Sequence, residues 1–359
     1  MKKVTVFFLL LAFFACKQAD RPVAHVDLAK ALSQGEKPVS LGEISSDIQV
    51  IPLETRDDLL MQRISLVRLH GDKLIVYYDN MCALFDLTGK WIRNIGSRGE
   101  GPGEFMYLSD VWVEDDGYTL VESRTGKLMK YDLEGNFVKT TRSRNDYYQV
   151  IRIGKGLYAA FNRNLSGMEQ TKIVFLDADM APVDSIPYTQ TYEKENPAAI
   201  GGYGSEGGFF QNGRGYGFKE AYVDTVYRLM PDLKMQVEYI VDMGNYTFTP
   251  ELRHLLLSPR DPQLADKRTT VVVFENARYT IFRGYRYQKE SMLWDRQTGK
   301  ITLAALQYPE DILKQLDKED AAFVPQFVSD DNQYLIAVEE ATSIDNDNNP
   351  SIVLVKMDK

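Results

Sequence analysis

Histidine and cysteine are scarce in this chain: 359 residues hold three of the first and two of the second. So few cysteines rule out a thiolate zinc cluster. No HExxH pair and no GxSxG elbow occurs. His25, His70 and His254 fall in a polar N-terminal stretch, a turn and a helix-like stretch, contexts that do not suggest a Ser-His-Asp arrangement. Basic excess is also missing. Lys and Arg number 42 against 51 Asp and Glu, a net charge of −9. Nucleic-acid binding needs a basic footprint, so that class is excluded. Past Ala15 no run is long and apolar enough to span a bilayer. Helical periodicity is scarce too. It is confined to residues 251–257 and 310–318, the second introduced by Pro309.

The N-terminus carries the one long apolar run. Lys2 and Lys3 precede about a dozen apolar residues ending in Ala15-Cys16, the length of a signal peptide. A small residue directly before cysteine resembles a bacterial lipobox, in which the cysteine is acylated. The expected organisation is a signal peptide over 1–15, a lipid anchor on Cys16, a polar tether over 16–40 and a folded body over 41–359. With Cys16 acylated, only Cys82 remains, so no intrachain disulfide can form. Stability must come from a core.

What fills the body is strand. KLIVYY (73–78), KIVFL (172–176) and TVVVF (270–274) are rich in Val, Ile, Tyr and Phe and are bounded by Gly, Asp and Asn. FDLTGKWI at Phe85 is echoed by YDLEGNFV at Tyr131. Weaker echoes follow at Phe175, Tyr227, Trp294 and near the C-terminus. A repeat of roughly 45 to 65 residues built of strands suits a propeller blade. A single four-stranded sheet cannot bury both faces, so blades stack around an axis. The expected fold is all-β: a six-bladed β-propeller of four-stranded blades at about 66–95, 109–141, 148–188, 208–241, 271–305 and 323–356. The spare run IQVIPL (48–53) should close the last blade. A β-sandwich would not explain the repeated hairpin.

Two glycine-rich stretches invite a phosphate-binding reading. RNIGSRGEGPGEFMYL (93–108) carries Gly96, Gly99, Gly101 and Gly103. GGYGSEGG formally contains GxGxxG at Gly202, Gly204 and Gly207. Both lead into strand patterns, whereas phosphate loops of the Walker and dinucleotide types open a helix. The expected role is crossover between blades, with glycine supplying backbone freedom. DNDNNP (345–350) begins like a calcium loop, but an EF-hand needs Gly and Glu where Pro350 and Lys356 stand. A hairpin loop is the better reading, with calcium at Asp345 and Asp347 left open.

IGSRGEGPGEF, followed by a strand, an Asp-Gly turn and YDLEGNFV, resembles the NHL-type six-bladed propellers. With IQVIPLET (48–55) and the ending NNPSIVLVKM (348–357), it resembles the six-bladed β-propeller lipoproteins of Bacteroidetes. KQAD (17–20) is similar to the export tag of such lipoproteins, though with one acid only. The resemblance implies a propeller, a lipid anchor and an extracytoplasmic place at the outer membrane, periplasmic or surface-exposed. It carries no catalytic motif.

Loops after each second strand should gather on one face of a propeller. They contribute Arg124, Asn162, Arg163, Lys219, Glu220, Tyr285, Arg286 and Glu339, with Arg98 and Glu104 from the glycine loop. Such a ring can hydrogen-bond sugars or fork onto carboxylates. The expected function is a monomeric binding or scaffold module for a glycan, peptide or envelope protein, without cofactor or metal. The alternative is a propeller enzyme, a polysaccharide lyase or lactone hydrolase, with an acid pair such as Glu220 and Glu339 in the same mouth.

Overall fold

The computed structural model describes residues 23–189, 206–249, 252, 261–285, 291–340 and 348–359. Strands β1 (Ala24–Asp27), β2 (Lys37–Ser40) and β3 (Ser45–Pro52) come first. Blade one is β4 (Ile64–His70), β5 (Lys73–Tyr78), β6 (Met81–Asp86) and β7 (Trp91–Asn94). The loop to blade two holds the short β8 (Ser97–Arg98) and β9 (Glu104–Phe105). Blade two is β10 (Asp110–Glu114), β11 (Gly117–Glu122), β12 (Lys127–Tyr131) and β13 (Phe137–Arg142). Blade three is β14 (Gln149–Gly154), β15 (Leu157–Phe161), β16 (Thr171–Leu176) and β17 (Pro182–Pro187). Blade four is β18 (Gly207–Gln211), β19 (Tyr216–Glu220), β20 (Thr225–Leu229) and β21 (Met235–Asp242). Blade five is β22 (Thr269–Glu275), β23 (Tyr279–Tyr285), β24 (Ser291–Asp295) and β25 (Ile301–Gln307). Blade six is β26 (Phe327–Val328), β27 (Tyr334–Glu339), β28 (Ser351–Met357) and, from the N-terminal side, β3.

The chain is thus a six-bladed β-propeller, and the last blade is closed by the segment IQVIPL. Ile51 pairs with Ile352 and Val50 with Val353, antiparallel. Each blade is an antiparallel meander, which gives the ring two distinct faces. Hairpins between strands one and two, and between three and four, lie on one side, here the hairpin face. Turns between strands two and three, and the crossovers to the next blade, lie on the other, the mouth face.

Apolar side chains are buried between blades rather than in one central mass. In β5, Leu74, Val76 and Tyr78 join the core shared with blade six, while Ile75 and Tyr77 join the one shared with blade two. A strand buried on both faces reads as a continuous apolar run, which is why KLIVYY shows no alternation. Phe85 and Tyr131, the aromatics of the repeated hairpin, are fully buried. Each contributes roughly 1.5–3 kcal/mol of apolar burial.

The aspartate of that hairpin organises its turn. Asp86 Oδ1 accepts from the Thr88 amide at 2.8 Å, and Asp132 Oδ1 from the Asn136 amide at 2.8 Å. Asp177 and Asp295 do the same in blades three and five. This is the Asx turn, a side chain standing in for backbone. Three residues after the first two aspartates come Gly89 and Gly135, both at φ +83°. The same turn position is held by Met180 at φ +61° and Leu233 at φ +64° in blades three and four. The weaker echoes there have kept the left-handed geometry without the glycine.

One expectation is corrected. Residues 24–40 are not a tether. β1 adds to β21 and β2 to β25, both in parallel, so blades four and five each carry a fifth strand. Between them a helix, Leu28–Ser33, is capped by Asp27, whose carboxylate accepts from the Lys30 amide at 3.0 Å. Val26, Leu28 and Ala31 are buried, and this sparse apolar set in a polar stretch is enough to dock it. The helix at Glu310–Gln315 is shorter than the sequence pattern, and Pro309 is its N-cap residue. The segment 251–257 lies outside the described residues except for Leu252, as do His254, Asp345 and Asp347.

Candidate functional site

The glycine loop crosses from β7 to β10 on the mouth face. Phe105 is its fully buried plug. Its amides are used internally: Gly99 N–H donates to the Phe105 carbonyl at 3.0 Å and Gly101 N–H to Glu104 Oε2 at 2.8 Å. The Tyr131 hydroxyl donates to the Gly103 carbonyl. A phosphate nest needs outward amides, and these two are committed to the loop. Glu104, expected in the ligand ring, therefore ties the loop to itself.

Three further mouth acids, Glu122, Glu220 and Glu339, are engaged too, while Glu100, Asp146 and Glu340 are exposed. Glu122 is buried and accepts from the Met106 and Tyr107 amides at 3.0 and 3.1 Å and from the Thr125 hydroxyl at 2.7 Å. Burial pushes its carboxyl up, but these donors and Lys127 outweigh burial and hold it below the ordinary glutamate value. Glu220 meets Lys172 Nζ at 2.5 Å. Lys172 also lies 5.0 Å from the ring centre of Tyr188, whose hydroxyl donates to the Asn162 carbonyl at 2.6 Å. Glu339 accepts from the Tyr308 hydroxyl at 2.7 Å and pairs with Lys318. Burial, then the neighbouring Glu339 carboxylate, raises the Tyr308 phenol far above its usual range. Glu220 and Glu339 each have a lysine of their own, and the expected acid pair is not set out as two free carboxylates.

Lys219 is almost wholly buried. Its Nζ donates to the carbonyls of Glu220 at 3.1 Å and Val223 at 2.6 Å. Desolvation pulls its pKa down to about 7, against the opposing pull of Asp224 and Glu220. The side chain staples the turn between β19 and β20. Asn162 likewise serves the backbone, with Nδ2 donating to the Thr171 carbonyl at 3.2 Å.

The arginines remain. Arg98 and Arg124 are exposed and, among the described residues, meet no carboxylate. Arg124 sits at the end of the short 3-10 turn Ser123–Thr125. Arg163 lies over the Tyr148 ring at 4.4 Å, a cation–π contact that leaves its guanidinium edge free for an anion. Tyr285 ends β23 opposite Thr269. Arg286 is outside the described residues. A mouth cavity of about 350 Å³ is lined by Tyr148, Gln149, Phe209 and Lys219, and another of about 330 Å³ by Glu339, Glu340 and Asn349. Asn349 locks the latter wall, accepting from the Met61 amide at 2.8 Å and donating to the carbonyls of Glu54 and Leu59 at 2.7 and 2.5 Å.

The lysine partners of Glu220 and Glu339 were not legible in the sequence. Lys172 and Lys318 come from a third strand and from beyond a helix, and no local spacing announces them. Among the described residues no group of three or more His, Cys, Asp or Glu could hold a metal ion. No described helix is long and apolar enough to cross a membrane.

Residues 23–356 match the family model described as Domain of unknown function (DUF4934), and the chain belongs to that family. No curated protein matches it. Among solved structures it is similar to a protein of Bacteroides fragilis described as exported, at 16% identity and a TM-score of 0.68, over 94% of this chain and 100% of that one. It is also similar to a DUF4221 family member from Bacteroides vulgatus, at 10% identity and a TM-score of 0.47, over 88% and 97%. A streptogramin B lyase follows at 11% identity and 0.41, over 87% and 98%. At such identities the likeness concerns the fold.

Proposed function

We propose that this DUF4934 chain is an exported propeller, lipid-anchored at Cys16 to the outer membrane, that binds a ligand at its mouth. The ligand class is a glycan, peptide or envelope protein presenting carboxylates or hydroxyls. One observation supports this reading above the others. The mouth carboxylates Glu104, Glu122, Glu220 and Glu339 are spent on internal partners, while Arg98, Arg124 and Arg163 meet none among the described residues. A rim on which these four acids are satisfied and these guanidinium groups are open, with Glu100, Asp146 and Glu340 exposed beside them, can receive hydrogen-bond acceptors. The glycine loop and the run IQVIPLET support a relationship to NHL-type lipoprotein propellers.

Screening the purified protein on a glycan array, alone and as Arg124→Ala and Arg163→Ala, tests the site. Binding that both substitutions abolish supports the mouth. Binding unchanged by either would move the site elsewhere. Membrane fractionation of Cys16→Ala tests the anchor; continued retention would refute it.

A further inference from the structure

The hairpin face carries a second feature that the mouth reading does not use. Between blades two and three the core is apolar toward the mouth, where Val121, Leu128, Tyr147 and Val150 pack together. One register step toward the hairpin face, blade two presents Thr119, Lys130 and Lys139 side by side on the surface that faces blade three. Thr119 pairs with Lys130, and Lys130 with Lys139. Blade three answers with Gly154, Gly156 and Ala178, too small to fill the space. The result is a cleft of about 1010 Å³.

The charges in it are unevenly satisfied. Lys130 is 2.7 Å from Asp116 and 3.5 Å from Glu114, and Arg152 is 2.6 Å from Glu114. Lys139 and Lys155, one on each wall, are exposed and form no direct ion pair among the described residues, though Lys155 acts on Asp116 through space. Asp115 is the one lining acid left without a cation. Like charges directly opposite on neighbouring strands destabilise a sheet, and Lys139 stands opposite Lys130. Asp116 and Glu114 already offset Lys130, so an anion seated in the cleft would supply the direct counter-charge that Lys139 lacks.

We propose that this interblade cleft binds an acidic oligosaccharide, with Lys139 and Lys155 on its carboxylates and Thr141 and the Tyr158 phenol on its hydroxyls. At about 1010 Å³ the cleft is at the upper end of ligand pockets, roomy enough for more than one sugar ring. A peptide would use the open edge of β13, the outer strand of blade two that carries Lys139 and Thr141, and the polyglutamate arm of the test below distinguishes it. The net charge of −9 disfavours nucleic acid.

Titration calorimetry with a galacturonate oligomer, a neutral oligosaccharide of equal length and a polyglutamate peptide of equal charge tests the site. The expected result is binding of the acidic sugar alone, weakened about tenfold or more in the double variant Lys139→Gln, Lys155→Gln and unchanged in the control variant Lys90→Gln, Lys300→Gln, whose lysines are exposed outside the cleft. Both pairs are exposed, and circular dichroism checks that each variant is folded. Failure of the galacturonate to bind, equal binding of the neutral sugar or of polyglutamate, or indifference to the lysine substitutions would overturn the proposal. Loss of galacturonate binding in Arg98→Gln, Arg124→Gln with the lysine variant unaffected would assign it to the mouth and equally overturn the cleft.

Discussion

Arg68 of blade one holds Asp110 of blade two, with Nη2 2.6 Å and Nε 2.7 Å from Oδ1. Its Nη1 also reaches the Val328 carbonyl of blade six at 3.5 Å, so one guanidinium links three blades. Both side chains are largely shielded, at 23% and 16% exposure. Arg68→Leu should therefore destabilise by about 2–3 kcal/mol, because Asp110 is left without its cation. The double variant Arg68→Leu, Asp110→Leu should recover part of that loss. Urea titrations of the four members of the cycle check this; strict additivity would deny the coupling.

Lys219 predicts a particular pH dependence. Its folded pKa of about 7 lies below the ordinary lysine value of 10.5. Between those values the unfolded chain binds more protons than the folded one, so stability from this group rises with pH across that window. Below about 7 the cost of holding a buried ammonium is felt in full. Relative to Lys219→Met, the native chain should gain on the order of a few kcal/mol between about pH 7 and pH 10. Denaturant midpoints measured at both ends decide it. Identical slopes would mean that Lys219 does not titrate in the window.

Gly103 sits at φ +73°, and a Cβ there would stand 2.6 Å from the Phe137 ring. Gly103→Ala is expected to cost about 1–3 kcal/mol, combining a left-handed backbone with a clash. Thermal denaturation reads the loss. A neutral result would show that the loop can move aside.

The strand that adds to blade four depends on a few buried contacts. Val26→Asp places an unpaired carboxylate in the core shared by blades four and five, at a position that is 1% exposed. The expected loss is about 2–4 kcal/mol. Limited proteolysis should then cut within residues 24–40 first, since those strands pair along one edge only. Cleavage elsewhere at an earlier time would show that the N-terminal strands are not the part released.

Asn349 makes the same argument for the mouth. Its amide serves Met61, Glu54 and Leu59 together, so Asn349→Ala strands three backbone groups at a site that is 6% exposed. A loss of about 2–3 kcal/mol in chemical denaturation is expected. Asn349→Asp, which keeps the acceptor for the Met61 amide but sets a buried carboxylate oxygen against the Glu54 and Leu59 carbonyls, should lose at least as much.

The blades were legible because one turn recurs with its chemistry intact: a buried aromatic, an aspartate that accepts from the turn amides, and a left-handed residue behind it. Where Met180 and Leu233 replaced the glycine, the echo faded although the backbone had not changed. The segment 24–40 was misread for a different reason. A strand that joins an edge in parallel has no hairpin partner beside it in sequence, and β1 finds β21 across some two hundred intervening positions. The mouth was legible as a place and not as a circuit. Glu220 and Glu339 stood where expected, but which cation each would find depended on how Lys172 and Lys318 were carried to it.

The direction of β1 gives the molecule an up and a down. Within each blade the fourth strand runs from the hairpin face to the mouth face, and β1 runs parallel to β21, the fourth strand of blade four. The chain therefore enters the ring heading toward the mouth, from the hairpin side of the rim. The mouth and the interblade cleft open on opposite sides of the ring, and the chain comes in on the side of the cleft, so the two surfaces look in opposite directions.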